Sequence, residues 1–543
     1  VTGTITLTSG QLTIAKDLII TGPGAAQLTI SGNSNSRVFW INSGATVTMS
    51  GLTIADGFVL IGDGGGIINQ GTLKITDSTI SGNEAGGWGG GIYNINGTVT
   101  IENSTISGNT AYSHGGGISN WGTLTIENST LSSNTADSHG GGIFNRRTLT
   151  IENSIISDNV SDEEGGGIDN NGTLTITNST LSGNTADDSG GGIHNLYDLT
   201  TLTIENSTLS GNEAGYHGGG LFVSTHYAKT SLYNVTISEN VADSDANGTG
   251  DGGGVYRSAG RLNLENTIIA GNQDGSSSGD VHPDCSGTLT SRGYNLIEDT
   301  SGCTITGDTT GNLTGQAALL DALADNGGET ETHALGDGSP AIDAGNPDGC
   351  QDDDSNDMTA DQRGEPRPVG GTCDIGAYEK QGPDLEAVKT NDVGDTVTLG
   401  STFQWTVTIS NPGSQDAVFS GGQPIETIFQ DDLPAGSTYG APTVQNVTDV
   451  TNSGSIYCQL IGTTLMCDPV GADVTLLAET GTFDVVFDVT PSATGDLTNP
   501  DTNGVCQVDP DDHVAEINES DNACTDTVTV TAAGGDGGGD GDD

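Results

Sequence analysis

A repeat of 25 residues is the feature that most constrains the fold of this chain. The segment GGGISNWGTLTIENSTLSSNTADSH is followed by GGGIFNRRTLTIENSIISDNVSDEE and then by GGGIDNNGTLTITNSTLSGNTADDS. A period this short, with strand-like alternation inside it, indicates a β-solenoid, in which each coil buries its apolar face against its neighbours. The glycine triplets that mark the coils begin at Gly64, Gly89, Gly115, Gly140, Gly165, Gly190, Gly218 and Gly252.

Alternation within the repeat predicts the strands of one coil. In TLTIEN, Leu124 and Ile126 face one side, and Thr123, Thr125 and Glu127 face the other. A second strand is expected at ST(I/L)S and a third at GGGI, so that the coil has three sides. Stacked coils then place apolar residues in columns: Leu124, Leu149, Leu174 and Leu202, and Ile126, Ile151, Ile176 and Ile204.

Asparagine recurs with the same period. Because asparagine tolerates the left-handed conformation and stacked amides can bond from coil to coil, we expect structural ladders at the coil corners. The first two series are Asn103, Asn128, Asn153, Asn178 and Asn206, and Asn109, Asn134, Asn159, Asn184 and Asn212. A third comprises Asn94, Asn120, Asn145, Asn170 and Asn195.

The repeat pattern GN(T/E)A…GGGI…LTIENST resembles the right-handed parallel β-helices of bacterial surface proteins, and is loosely similar to the GGAI-bearing polymorphic outer-membrane proteins. The stretches LLDALADNGGETETHALGDGSPAIDAGNP and TADQRGEPRPVGGTCDIGAYE, within residues 311–380, resemble the choice-of-anchor Q domain. That resemblance implies an exported bacterial protein with a surface-attachment module, and it implies no reaction. We therefore expect a three-sided right-handed parallel β-helix over residues 1–310, followed by the anchor-like segment.

The glycine triplets stop before Pro383, and the remaining sequence is typical of strands broken by turns. PDLEAV…TVTISNPG and VDPDDHVAEINESDNACTDTVTV resemble bacterial surface-adhesion and spacer repeats, which implies an Ig-like β-sandwich over residues 381–532. Residues 533–543 are expected to form a flexible Gly/Asp-rich tail. The predicted fold class of the whole chain is all-β.

The net charge and hydrophobicity of the chain argue against several classes of binding partner. The formal net charge of -59 argues against nucleic acid and anionic lipid, and no apolar stretch is long enough to span a bilayer. Because no signal peptide precedes the strand pattern at Val1, we expect the chain to be a processed or trimmed piece.

The cysteines form sequence-local couples typical of disulfides in a secreted protein. None of the couples has the CxxC spacing of a metal site. The expected disulfides are Cys285 with Cys303, Cys350 with Cys373, Cys458 with Cys467, and Cys506 with Cys524.

No compact acid/base set stands out among the repeats, so no catalytic residue is assigned. His114, His139 and His217 precede glycine triplets and are expected to form an exposed rim rather than a metal site. The acidic loop NPDGCQDDDSNDMTADQRG leaves two alternatives open, a Ca²⁺ site or a solvated loop. The candidate Ca²⁺ ligands are Asp352, Asp354, Asn356, Asp357 and Asp361.

These observations predict a non-catalytic structural or adhesive protein of the bacterial cell surface or extracellular matrix. Its partners would be extracellular glycans or proteins, met through exposed rows and the inserted loops 224–229 and 243–250, or further copies of the chain in a filament or surface layer. The alternative is a β-helix that binds or degrades polysaccharide. Ice binding through the threonine pairs of TLTIE is a third reading, which the glutamates in the same rows disfavour. No cofactor beyond Ca²⁺ is expected.

Overall fold

The computed structural model describes residues 1–196, 200–276, 281–336, 338–353, 355–369, 372–422, 425–501, 504–514, 516–517 and 521–532, without the side chains of 225–228. The chain divides into two compact units, Val1–Pro368 with Thr372–Glu379, and Val369–Gly371 with Lys380–Asp543. In the described part of the chain, the helical content is a single 3-10 turn at Ser453–Ser455. The expected all-β class is confirmed. The expected tail 533–543 lies outside the described residues.

The first unit is a parallel β-helix built from three sheets, which confirms the fold. The sequence predicts the GGGI and TLTIE strands on separate sides of the coil, but they belong to one sheet. Sheet 1 contains the STLS strands of successive coils, and every pair in it is parallel. Its strands are Gly3–Thr6, Leu28–Ser31, Thr53–Ala55, Thr79–Ser81, Thr105–Ser107, Thr130–Ser132, Ile155–Ser157, Thr180–Ser182, Thr208–Ser210, Thr236–Ser238, Ile268–Ala270, Leu296–Ile297 and Leu313–Thr314.

Sheet 2 takes two strands from each regular coil. The strands that follow the glycine triplets, with their two equivalents in the first coils, are Leu12–Ile14, Phe39–Ile41, Ile67–Asn69, Ile92–Asn94, Ile118–Asn120, Ile143–Asn145, Ile168–Asn170 and Ile193–Leu196. The TLTIE strands and their equivalents are Leu18–Thr21, Thr46–Ser50, Thr72–Thr76, Thr98–Glu102, Thr123–Glu127, Thr148–Glu152, Thr173–Thr177 and Thr201–Glu205. In the later coils the two series merge into the single strands Leu221–Tyr233, Val255–Glu265, Cys285–Arg292 and Gly302–Asp308.

Sheet 3 consists of two-residue strands at the NTA segment of each coil. They are Phe58–Val59, Glu84–Ala85, Thr110–Ala111, Thr135–Ala136, Val160–Ser161, Thr185–Ala186, Glu213–Ala214, Val241–Ala242 and Gln273–Asp274. The sequence did not predict these strands, because two residues are too few to show alternation. Residues 224–229, expected as an inserted loop, instead have backbone within the strand Leu221–Tyr233. The prediction of a loop there was wrong, since the two strands of that coil continue as one strand, which pairs with the next coil through register shifts between Val223 and Lys229.

The core follows the predicted columns. Leu124 pairs in register with Leu149, and Ile126 with Ile151, which reproduces the period of the repeat. The side chains of both columns are at most 1% exposed. Burial of these apolar stacks stabilises each coil through its neighbours.

The segment that follows the last coil folds back over the outer side of sheet 1. The Thr180 hydroxyl donates a hydrogen bond to the Glu331 carbonyl at 2.6 Å, and the Thr208 hydroxyl donates one to Gln362 Oε1 at 2.7 Å. His333 Nε2 lies 2.8 Å from Ser210 Oγ. A buried apolar cluster completes the contact, and its members are Ile268, Ala270, Leu296, Ala318, Leu335, Ala341 and Ile375. The anchor-like segment therefore belongs to the β-helix unit.

The second unit contains mostly antiparallel sheets around an aromatic core, which is consistent with a sandwich. One sheet contains Glu386–Asn391, Phe403–Asn411, Gly481–Pro491, Ser437–Tyr439 and Thr443–Thr448, and another Ile456–Ile461, Thr464–Pro469, Phe429–Asp432 and Cys506–Val508. The smaller sheets contain Thr396–Thr398, Asp526–Thr531 and Gly495–Asn499, and Ala417–Phe419, Val474–Leu476 and Val450–Thr451.

Disulfides join the four predicted cysteine couples. In the first unit, Cys285 is bonded to Cys303 between the last strands of sheet 2, and Cys350 is bonded to Cys373 within the folded-back segment. In the second unit, Cys458 is bonded to Cys467 across a pair of antiparallel strands, and Cys506 is bonded to Cys524. The prediction of sequence-local pairing is therefore confirmed for every cysteine, and each disulfide lies within one unit.

Candidate functional site

Two columns of the repeat carry residues that change from coil to coil. One is the position before each glycine triplet, occupied by Asp63, Trp88, His114, His139, Glu164, Ser189, His217 and Asp251. The other is the middle of the strand after the triplet, occupied by Ile68, Tyr93, Ser119, Phe144, Asp169, His194, Phe222 and Tyr256, which pair in register. The inward positions of the same coils repeat Ile, Leu and Asn. We call these two columns, with Trp121 and Arg146, the aromatic–histidine strip.

The glycine corner explains why the strip is compact. Gly115 has a φ of +71°, and a Cβ there would lie 2.4 Å from the Ile118 carbonyl oxygen. The chain can therefore turn back closely enough for the corner side chain to lie over the strand. As a result Phe144 and His194, which point away from the core, are each only 4% exposed. The corner residues His114 and His139 are half-buried.

Stacked rings form the N-terminal part of the strip. The Trp88 and Trp121 rings lie 4.9 Å apart at an angle of 14°. The Arg146 guanidinium covers Trp121 at 4.4 Å, and His114 stacks on both His139 and Phe144 with centroids 4.7 Å apart. Such stacks contribute to coil packing, and the two tryptophans and two histidines in them are half-buried.

A histidine–carboxylate cluster occupies the middle of the strip. His139 Nδ1 pairs with Glu164 Oε2, and His139 Nε2 lies 3.5 Å from Glu163 Oε2. These three side chains present ligand atoms within 4.8 Å of one another, a donor set that suits a divalent transition metal. In the next coil His194 Nδ1 lies 3.0 Å from Asp169 Oδ1, and both side chains are at most 5% exposed.

Burial and the contacts within the cluster shift the pKa values of its histidines and of Glu164. Burial lowers the pKa of His114, and the neighbouring His139 acts in the same direction. For His139, burial opposes the charged form, but the contact with Glu164 and the nearby Asp169 outweigh it and raise the pKa. The His139 contact in turn lowers the pKa of Glu164. His139 and Glu164 thus favour the ion pair.

The C-terminal part of the strip is also aromatic. His194 stacks on Phe222 at 4.8 Å, and His217 lies against Tyr256 with ring centroids 3.9 Å apart. Burial lowers the pKa of His217. The three histidines expected as an exposed rim are therefore half-buried and stacked on aromatic rings. The rim prediction was wrong for their environment, because the sequence does not show how closely the glycine corner approaches the strand.

The predicted asparagine series lie in two environments. The Asn109 and Asn94 series are fully buried, and within each series the Nδ2 atom of one coil donates to the Oδ1 atom of the next at 2.8–2.9 Å. The Asn103 series occupies left-handed corners with φ between 47° and 50°. In that series Asn206 donates to Asn178 Oδ1 at 2.8 Å.

The residues of the acidic loop point in different directions. Asp352 accepts from the backbone N–H and the Nδ2 of Asn356 at 2.8 and 2.9 Å. Asp361 is 1% exposed, and its carboxylate accepts from Arg363 and from backbone N–H groups. Asp357 lies 3.4 Å from the Gln351 amide, and Asp354 lies outside the described residues. The structure brings Asp352 and Asn356 together and directs Asp361 to an internal ion pair.

Comparisons with known proteins support the fold of the first unit. Residues 66–240 match the family model described as the right handed beta helix region. With the three parallel sheets, this match shows that the first unit has the right-handed parallel β-helix fold. A search of curated proteins finds no match. In the part of the chain that is described, no helix has the length and hydrophobicity needed to cross a membrane.

Similarities to solved structures are distant. The CARDB domain of a Pyrococcus furiosus protein in complex with di-metal ions is 17% identical, covering 28% of this chain and 95% of that domain with a TM-score of 0.18. The cohesin module of a Clostridium perfringens family 33 glycoside hydrolase is 13% identical, covering 27% and 99% with a TM-score of 0.18.

Proposed function

We propose that the protein is a non-catalytic adhesive element of the cell exterior, in which the β-helix presents the aromatic–histidine strip to an extracellular glycan. The observation that supports this is the distribution of residue types within the repeat. Positions needed for stacking repeat the same residues, whereas tryptophan, histidine, phenylalanine and carboxylates concentrate in two adjacent columns of one face. In a solenoid, variable positions gathered on one surface are typical of a binding face.

The chemistry of the strip suits a polyhydroxylated ligand of low charge. Half-buried indole and imidazole rings lie near the charged side chains of Glu163, Glu164 and the exposed Arg146, so that polar groups lie beside apolar surface. The net charge of -59 disfavours a polyanionic glycan. Four disulfides support an oxidising compartment outside the cell.

Binding to an array of neutral and acidic oligosaccharides tests the proposal, with titration calorimetry on any hit. The variants Trp121→Ala and Arg146→Ala should weaken binding at least tenfold, because they remove one ring and the cation that covers it. Tyr112→Ala is the matched control: it removes an exposed aromatic residue of a neighbouring coil that lies outside the strip. Equal affinity of all three variants and the unchanged chain would refute the strip as the binding face.

Polysaccharide cleavage is the second candidate, and the buried Asp169–His194 pair favours it. A carboxylate 3.0 Å from an imidazole is an arrangement that can hold and move a proton. Incubation of the chain with neutral and acidic polysaccharides tests this, with His194→Gln as the comparison. Chain shortening that the variant abolishes would replace the non-catalytic proposal by this one.

Self-association into a filament or surface layer remains a prediction that negative-stain electron microscopy checks. Regular fibres would support assembly, and monodisperse rods would contradict it.

A further inference from the structure

The core of the second unit contains a lysine and an asparagine that both hydrogen-bond to one oxygen of an aspartate. Lys389 Nζ donates to Asp431 Oδ2 at 2.5 Å, and Asn499 Nδ2 donates to the same oxygen at 3.0 Å. The side chains of Lys389 and Asp431 are 0% exposed, and Asn499 is likewise fully buried. Burial of three such groups is costly unless each polar atom is satisfied.

The strands of three sheets bring the groups together. Lys389 takes an inward position in Glu386–Asn391, where Ala387 is also buried and Val388 is exposed. Asp431 is inward in Phe429–Asp432, and Asn499 ends the strand Gly495–Asn499. Each residue therefore replaces an apolar core residue at a position that its strand turns inward.

The hydrogen bonding at this site is incomplete. Asp431 Oδ1 and Asn499 Oδ1 are both buried and have no hydrogen-bond partner among the described residues. The first unit offers a contrast in its own fully buried ion pair. There Arg367 donates to Glu379, to the Gly376 carbonyl and to Asn206, so that all of its nitrogens are used. A purely structural ion pair would be expected to resemble the arginine site.

The surroundings favour uncharged forms of the pair. The Trp405 ring lies 5.4 Å from Lys389 Nζ, and Cys506 Sγ lies 3.4 Å from it. Burial lowers the pKa of Lys389, against the attraction of Asp431, and burial raises the pKa of Asp431. A neutral amine is a nucleophile, and a protonated carboxylic acid is a proton donor.

We propose that Lys389 and Asn499 form an intramolecular isopeptide bond, with Asp431 as the catalytic acid and base. The Lys389 Nζ lone pair attacks Cγ of Asn499, while protonated Asp431 donates its proton toward Asn499 Oδ1. The Asp431 carboxylate takes the proton lost from Nζ and passes it to Nδ2, and it recovers its own proton from the Oδ1 hydroxyl as the C=O bond re-forms. The Nζ–Cγ bond forms, the Cγ–Nδ2 bond breaks and one ammonia leaves. No oxidant or reductant is needed, and Asp431 ends in its starting state.

The alternative product, an amide between Lys389 and Asp431, is disfavoured by its leaving group. It would require loss of water from a carboxylic acid that no other group activates, whereas Asn499 already carries an amide and Asp431 lies beside it. The proposed bond joins the first strand of the unit to its C-terminal part. Tension along the chain would then pass through the bond and bypass residues 390–498. This is independent of what the β-helix binds.

Intact mass of the folded full chain, after reduction of its disulfides, tests the proposal directly. We expect a mass lower than the sequence mass by one ammonia molecule. Trypsin supplies a second measurement, because no lysine or arginine follows Lys389. A linked Lys389 resists cleavage, so the peptide QGPDLEAVK should be absent, and fragmentation of a second-protease digest should identify a branched Lys389–Asn499 peptide.

Substitutions distinguish the Lys389–Asn499 isopeptide bond from other reactions that release ammonia. Lys389→Arg, Asn499→Ala and Asp431→Ala should each restore the full mass. Asn411→Ala is the matched control, because it changes another fully buried asparagine of the unit and should keep the mass deficit. An unshifted mass with QGPDLEAVK released from the unchanged chain would overturn the proposal. So would ammonia loss retained in Lys389→Arg, or loss of water with a link to Asp431.

Discussion

Replacement of Asn134 by alanine tests whether the buried amide ladder contributes to the stability of the β-helix. The Asn134 side chain is 0% exposed and makes four hydrogen bonds. Its Nδ2 donates to the Ile106 carbonyl at 3.0 Å and to Asn159 Oδ1 at 2.9 Å. Its Oδ1 accepts from the backbone N–H and the Nδ2 of Asn109 at 3.1 and 2.9 Å.

The expected loss of stability depends on which hydrogen-bond partners of Asn134 keep another hydrogen bond in the variant. Asn109 Nδ2 still donates to the Ile80 carbonyl, and Asn159 Oδ1 still accepts the Asn134 backbone N–H. The Asn109 backbone N–H loses its side-chain acceptor and remains buried, which costs about 1–3 kcal/mol, and the lost bonds of Asn134 add about 1 kcal/mol. We therefore expect Asn134→Ala to lower the free energy of unfolding by about 2–4 kcal/mol.

Urea unfolding followed by circular dichroism measures this change. Asn128→Gly is the matched control, because Asn128 has the same period but is exposed at a corner with φ of 47°, which glycine adopts without strain. We expect the control to change the free energy of unfolding by less than about 0.5 kcal/mol. If Asn134→Ala were as mild as Asn128→Gly, the ladder would be a consequence of the repeat and not a source of its stability.

Three further predictions concern the charged and cross-linked groups. The raised pKa of His139 contributes stability that is present below the ordinary histidine pKa and is lost as the pH rises through the raised value. The lowered pKa of Glu164 contributes stability that is present above the ordinary glutamate pKa and is lost as the pH falls through the lowered value. His139→Gln should therefore flatten the decline of the urea midpoint above neutral pH, and an unchanged profile would contradict the ion pair. The double variant Cys350→Ser with Cys373→Ser removes a disulfide whose cysteines are separated by 23 positions in the sequence. In a urea titration it should lower the free energy of unfolding by about 3 kcal/mol. An unchanged free energy would mean that the other contacts of the folded-back segment hold it in place. Because Asp361 is committed to Arg363, we expect EDTA to leave the melting temperature unchanged by calorimetry; a lower melting temperature that Ca²⁺ restores would instead support a site around Asp352 and Asn356.

The repeat made the β-helix predictable because each inference could be checked against several copies of the same coil. The Leu124 column and the Asn109 series both follow from one period and one rule of alternation. The folded-back segment had no such support. The contacts of Gln362 and His333 with sheet 1 join residues far apart in sequence, and neither residue lies in a periodic pattern.

The candidate site was harder to predict than the fold, because its residues differ between coils. His114 and His139 could be placed near one another from the period, but their burial depends on the glycine corner. The buried position of Lys389 could have been predicted from its strand. In LEAVKTN, Leu385, Ala387 and Lys389 occupy alternate positions, so their side chains point to the same face. Because that face is buried at Leu385 and Ala387, the lysine is also expected to point inward.

The two units bury polar groups by different means, and the difference bears on their chemistry. In the β-helix every coil supplies both a donor and an acceptor, so an amide such as Asn134 is satisfied by the copies before and after it. The second unit has no such copies. Its single buried lysine must find partners among unique residues, and Asp431 and Asn499 retain unpaired oxygens beside it. Repetition therefore gives the first unit inert polar ladders, whereas the absence of repetition leaves the second with a buried amine and a buried amide that both contact one acid, the arrangement from which we propose that a covalent bond forms.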